Sequence, residues 1–333
     1  MPAPKNIKQL KEIGRRDIIL SMARVPMSDR VLFGSNDFHL YDVDFAAEKP
    51  EPQQHAGHES YITGVTQVGQ HIITGGYDRR LIWWNADTLE EIRRVDDAHQ
   101  RWIRGVEASP NGKIIASVAD DMVVQLWDAE TGKPLQQLRG HEEQTTTNYP
   151  SMLYACAFSP SGQQLATVDR VGKIVVWEVA SGKQLATMKA PENYTWDPRQ
   201  RRHSIGGLRS AAFSPDGKLL AVGGMGQVGN IDHLGGKARV EIFDWQKQER
   251  THVYGDGEFK GLVESLVWHP QGDWLLAGGG ANDGWLMFFD LGDEKGAAKN
   301  EKAPMHIHEL ALSENAKQLW AVGHAKLVKW ELG

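Results

Sequence analysis

The chain has 333 residues, enough for two ordinary domains or one large repeat fold. Lys+Arg number 37 against 43 Asp+Glu, and the net charge of -6 argues against a dedicated nucleic-acid coat or a cationic membrane binder. A single cysteine excludes an internal disulfide scaffold. Apolar residues make up 41% of the chain, so a sizeable core is available. The N-terminal MPAPKNIKQLKEIGRRDIIL lacks the apolar centre of a signal peptide. No apolar run approaches the roughly 18 residues that cross a bilayer. These features predict a cytoplasmic protein that does not enter a membrane. They leave 35 Gly and 12 Trp to be explained.

In chain order, short apolar runs alternate with turns. IKQLKEI (7–13) and DIILSMARV (17–25) come first, then HLYDVD (39–44), LIWWNADT (81–88), VVQLWDAETGK (123–133) and IVVWEVASGK (174–183). Weaker copies follow at VEIFDWQ (240–246), LMFFDLGD (286–293) and LVKWELG (327–333). The anchor aromatics Tyr41, Trp84, Trp127, Trp177, Phe243, Phe289 and Trp330 recur 41 to 66 residues apart. Hairpins of the type AFSPDGKLLAV (212–222) precede most anchors, with Pro fixing φ and Gly supplying positive φ in the turn. No stretch has the period of a long amphipathic helix. Each unit therefore reads as a four-stranded antiparallel meander. One such sheet cannot bury both faces alone, so the units must stack.

With those residues in view, the sequence resembles the WD-repeat β-propellers over nearly its whole length. One unit runs Gly57-His58, Thr74, Asp78, Trp84; the next runs His99, Ser117, Asp121, Trp127-Asp128. A third keeps Gly140-His141, Thr167 and Trp177, with Val171 where the turn Asp is expected. The resemblance implies an all-β fold, a seven-bladed propeller of four-stranded antiparallel blades. It is read as a single domain over residues 1–333. The last unit ends after its third strand, so residues 7–13 are expected to complete that blade and close the ring.

His99, Ser117 and Asp121 invite a catalytic reading, as do His58, Thr74 and Asp78. The set recurs at matching offsets, which suits an architectural role performed once per blade. A buried Trp N–H needs an acceptor. In the family, hydroxyl, imidazole and carboxylate form a hydrogen-bonded chain ending on the Trp, so these tetrads are read as structural. No catalytic residue is assigned, and the chain is read as a non-enzyme.

Length changes fall on one side of the repeat. The segment 142–149, the connection 190–207 and the loop 224–238 are each expanded. On the family scheme all three lie on the top face. They carry Tyr149, Tyr194 and Trp196, with Arg199, Arg201 and Arg202 alongside. Arg79, Arg101 and Arg170 belong to loops on the same side. Trp, Tyr and Arg are enriched at interface hot spots, and Arg grips carboxylates or phosphates. Tyr61 and Trp102 hold equivalent positions in HESYITGV and HQRWIRGV. They suit either a channel mouth or packing between blades.

These residues together predict a scaffold that presents a rigid loop surface to a protein or peptide partner, with acidic or phosphorylated groups facing the arginines. Two other classes stay open: a propeller hydrolase with a channel-mouth site, and nucleic-acid binding through the 194–202 loop, which the net charge disfavours. His306 and His308 alternate as on a strand face, but no third ligand lies near in sequence, so no metal is assigned. The Gly-rich runs at 223–230 and 278–284 lack a phosphate-loop ending, so no cofactor is assigned.

Overall fold

A computed structural model of the chain describes residues 2–198, 202–292 and 299–333. The described residues are all-β apart from one 3-10 turn at Pro191–Asn193. They gather into two compact units, one formed mainly by residues 139–307 and one by residues 4–138 with 308–333.

In the unit of residues 4–138 and 308–333, one four-stranded sheet runs Ile62–Val68, His71–Gly76, Leu81–Asn85 and Glu91–Val95. A second is built from Ile103–Ala108, Ile114–Ala119, Val123–Asp128 and Pro134–Arg139. A six-stranded sheet joins the chain ends in the order Ile307–Leu312, Gln318–Leu332, Ile7–Arg24, Arg30–Ser35, His39–Asp44, Gln53–Ala56. The other unit holds three four-stranded sheets, beginning at Leu153–Phe158, Ser210–Phe213 and Leu262–Trp268. It also carries a two-stranded ribbon, Tyr194–Asp197 paired with His203–Gly206.

This corrects the blade count. The sequence predicts seven separate blades, and the described residues form six blade-sized sheets. The difference lies at the chain ends. Ile7 stands opposite Leu332 and Gly14 opposite Lys326, and the same strand then pairs Ile19 with Ser35 and Arg24 with Val31. Register shifts at Gly14/Ile18 and Ile19/Ser21 bend this strand without ending it. Segments read from the sequence as parts of a first and a separate last blade therefore share one sheet. Bulges turn one continuous strand where the sequence shows two separate runs, 7–13 and 17–25.

Strand alternation explains the packing. Ile72, Ile82 and Trp84 join one apolar cluster with Leu32, Leu40 and Ile62. Their sequence neighbours Ile73 and Trp83 join another with Ile103, Val106 and Trp127. Period-2 side-chain direction thus feeds both faces of one sheet into cores shared with the sheets on either side. Each large side chain buried in this way contributes about 1.5–3 kcal/mol. Close approach requires glycine at Gly64, where a Cβ would stand 2.6 Å from the backbone nitrogen of Val106.

Candidate functional site

The recurring polar sets are closed hydrogen-bond chains. The Trp84 indole N–H donates to Thr74 Oγ1 at 2.9 Å, and Thr74 meets His58 Nε2 at 2.7 Å. His58 Nδ1 lies 2.9 Å from Asp78. The next set repeats this with Trp127, Ser117, His99 and Asp121 at 2.9, 2.7 and 3.1 Å. One neutral tautomer satisfies every member: the hydroxyl donates to Nε2, and Nδ1–H donates to the carboxylate. Burial alone would raise the Asp78 and Asp121 carboxyls. Hydrogen bonds from the imidazoles and from backbone N–H groups outweigh it and hold both below their ordinary value.

The connectivity matches that of a Ser-His-Asp triad, so access decides its role. Thr74 and Ser117 are fully buried, and each hydroxyl already accepts the indole N–H. A nucleophile sealed in this way meets no substrate. The third set corrects the sequence reading, which placed Val171 at the carboxylate position. Asp169 serves instead, 2.8 Å from His141 Nδ1, while His141 Nε2 reaches Thr167 and Thr167 accepts from Trp177. The Asp comes two residues after the hydroxyl here and four residues after it in the other sets. Spacing alone therefore missed it. In the sheet of the chain ends a different chain anchors Tyr41. Its hydroxyl donates to Asp37 at 2.6 Å, Ser35 donates to Asp17 at 2.6 Å, and Arg15 stacks 4.0 Å over the Tyr41 ring.

Two aromatic surfaces remain, one in each unit. In the unit of residues 4–138 and 308–333, four rings form a ladder. Phe38 lies 5.9 Å from Tyr61, Tyr61 5.4 Å from Tyr77, and Tyr77 4.5 Å from Trp102 with ring planes 6° apart. Backbone register sets it up: Tyr77 N–H donates to the Tyr61 carbonyl, and Asp120 N–H to the Trp102 carbonyl. Arg104 pins the ladder from behind. It holds Asp120 by two hydrogen bonds of 2.8 and 2.7 Å, donates to the Tyr77 hydroxyl, and lies 4.8 Å over the Tyr77 ring. Trp102 keeps 49% of its surface exposed, and Phe38 and Tyr61 keep 39% each. Arg79 pairs with Asp97 at 3.4 Å, and Arg101 is exposed. Of the residues in and beside the ladder, the sequence names Tyr61, Trp102, Arg79 and Arg101 as candidates and does not single out Phe38, Tyr77 and Arg104. Repeat position was the available signal: Tyr77 precedes the turn Asp78, and Phe38 follows the turn Asp37 as Arg79 follows Asp78.

In the other unit, the described residues of the insertions make defined contacts. Tyr149 stacks on His203 at 5.0 Å and lies 5.7 Å from Trp196, which stands opposite Ser204 in the ribbon. Arg170 is 5% exposed: it donates to Ser204 Oγ at 2.8 Å and to the Ser204 carbonyl at 3.0 Å, beneath the Tyr149 ring at 4.8 Å. It anchors the ribbon and is not free to meet a partner. Buried Asn193 donates to Glu241, whose carboxylate also takes Arg239 and Arg250 at 2.6 and 2.8 Å. Thr195 accepts from the Val228 N–H at 3.0 Å, which ties two of the insertions together. Tyr194 is half-buried and Arg202 exposed. Arg199 and Arg201 lie outside the described residues.

Two further carboxyls stand apart in the unit of residues 4–138 and 308–333. Glu107 is exposed, yet desolvation by the surrounding protein, with help from the Glu309 charge, pushes its carboxyl up to about 8. Burial pushes Glu309 up to about 7, against the Met22 N–H, which donates to it at 2.6 Å. In the other unit, His306 Nε2 lies 3.8 Å from Glu264.

Among the described residues no helix is long and apolar enough to cross a membrane. The family model for the WD domain, G-beta repeat, matches residues 51–85, 90–128, 132–178, 198–228 and 249–290. A WD repeat-containing protein VIP3 of Arabidopsis thaliana is 26% identical over 60% of this chain and 56% of its own length. A nuclear distribution protein PAC1 of Arthroderma benhamiae is 27% identical over 47% of this chain and 34% of its own. Transcription initiation factor TFIID subunit 5 of Caenorhabditis elegans is 24% identical over 46% and 20%. The chain thus spans about half or less of the length of these relatives. Five matched repeats, the Trp-anchored hydrogen-bond chains and the stacked four-stranded sheets place the protein in the WD40-repeat β-propeller family.

Proposed function

We propose that the protein is a non-catalytic recognition platform that binds a protein or peptide through exposed aromatic residues. WD40 propellers generally act as interaction scaffolds, and one relative is named as a subunit of a transcription factor. The observation that carries the reading is the ladder Phe38–Tyr61–Tyr77–Trp102, in which Phe38, Tyr61 and Trp102 stay exposed although each is stacked on a neighbour. Large exposed aromatics held rigid lose little entropy on binding, which makes them efficient anchors. Tyr149, Trp196 and Arg202 form the secondary surface. A cytoplasmic location fits a chain with one cysteine.

The test is quantitative affinity capture from the source cells, comparing wild type with Tyr61→Ala/Trp102→Ala and with Tyr149→Ala/Trp196→Ala. The ladder variant should lose the specific partners with its melting temperature unchanged. Identical partner sets from all three proteins would overturn the reading. A second reading, general-acid chemistry, draws support only from the raised carboxyls of Glu107 and Glu309, since perturbed acids cluster at functional sites. A hydrolase panel on wild type and Glu309→Gln decides it: turnover lost in the variant would favour an enzyme.

A further inference from the structure

The ladder is apolar along its length, so the charges around it define its ligand. The neighbouring carboxylates are already matched. Arg80 bridges Glu59 and Asp96 at 2.9 and 3.0 Å, and Arg79 holds Asp97 at 3.4 Å. Arg104 holds Asp120, and His58 and His99 hold Asp78 and Asp121. Arg101, adjacent in sequence to Trp102, is exposed and makes no ion pair or hydrogen bond among the described residues. Of these charged residues, Arg101 is the one left without a partner. The Trp102 indole N–H and the Tyr61 hydroxyl, both on exposed residues, also make no hydrogen bond among the described residues.

Resting on the reading that the ladder is a recognition surface, we propose that its occupant is an extended, apolar peptide segment bearing one carboxylate that pairs with Arg101. An extended chain rises about 3.1–3.4 Å per residue, so the three ring-to-ring steps match about five residues. Its backbone carbonyls are open to the free indole and phenol donors, as in other extended peptides docked on aromatic surfaces. Arg–carboxylate pairing is bidentate and directional, so it fixes the register of the segment. A nucleic acid would also stack on such rings. Its phosphates, however, would meet carboxylates with one unpaired arginine to receive them.

The probe is a phage-displayed library of random heptapeptides selected against the full chain, with enriched sequences resynthesised for fluorescence anisotropy. Enriched peptides should combine Pro, Leu or aromatic residues with one Asp or Glu. Trp102→Ala should weaken them at least tenfold, and Arg101→Glu should switch the selected charge to Lys or Arg. Both side chains are exposed, and matched melting temperatures confirm that the variants fold. Absence of enrichment, or an acidic preference unchanged by Arg101→Glu, overturns the proposal. Peptides that ignore Trp102→Ala but are lost with Tyr149→Ala overturn it while leaving the platform reading intact.

Discussion

The two aromatic surfaces are built by different means. The ladder grows mainly from the regular repeat: Tyr61 and Trp102 sit at equivalent places, backbone hydrogen bonds fix the turns beside them, and Arg104 adds one side-chain brace. The ribbon surface grows from insertions and needs dedicated side-chain ties, Arg170 to Ser204 and Asn193 to Glu241. A surface held by sheet register keeps its side chains free to project outward. A surface held by side chains consumes some of the residues that would otherwise bind. Arg170 is the clear instance, a predicted contact that became an anchor.

That contrast can be broken at several points. The largest effect should come from deleting residues 1–14, which strips the strand from Ile7 to Gly14 off its partner at 326–332. The melting temperature should fall markedly in a thermal scan, and an unchanged value would mean that this pairing is dispensable. Next, Arg170→Ala should cost about 2–4 kcal/mol, because it orphans buried Ser204 groups and releases the ribbon. Chemical denaturation reads the cost, and ladder binding should survive it. Asp169→Ala should cost about 2–3 kcal/mol, while Val171→Ala should stay within about 1 kcal/mol. Equal effects would mean that Asp169 does not serve the His141 chain.

The smallest effects concern pH. Asp78 and Asp121 are held below their ordinary value of 3.8, so the stability they contribute is present above it. That stability is lost as pH falls through the still lower folded-state values, and acid unfolding should set in below pH ~4. Glu309 works in the opposite sense. Its folded value is raised from 4.5 to about 7, so the fold favours the protonated acid. Its contribution is fully present below 4.5 and fades as pH rises through about 7. Glu309→Gln should therefore narrow the difference in melting temperature between pH 5 and pH 8.

Much of this was legible in the residues. The Trp-anchored chains of His58, His99 and their partners follow from fixed offsets, because each strand and turn has a set length. Asp169 escaped because its turn is built differently, and only the fold reveals which carboxylate reaches His141. The blade count failed for a related reason. Nothing in the sequence from Ile7 to Arg24 shows that the runs 7–13 and 17–25 form one bulged strand, since a bulge needs only a local irregularity. Tyr61 and Trp102 stood between packing and display. In the structure both are exposed, and Tyr77, marked only by its place before Asp78, stacks between them.

The most direct measurement is a hydrogen-exchange footprint of the protein with and without its captured partner. The account predicts added protection at residues 36–38, 61–62, 77–79 and 100–104, with the ribbon at 194–197 and 203–206 changing less. Protection confined to 144–150 and the ribbon, with the ladder unchanged, would contradict it.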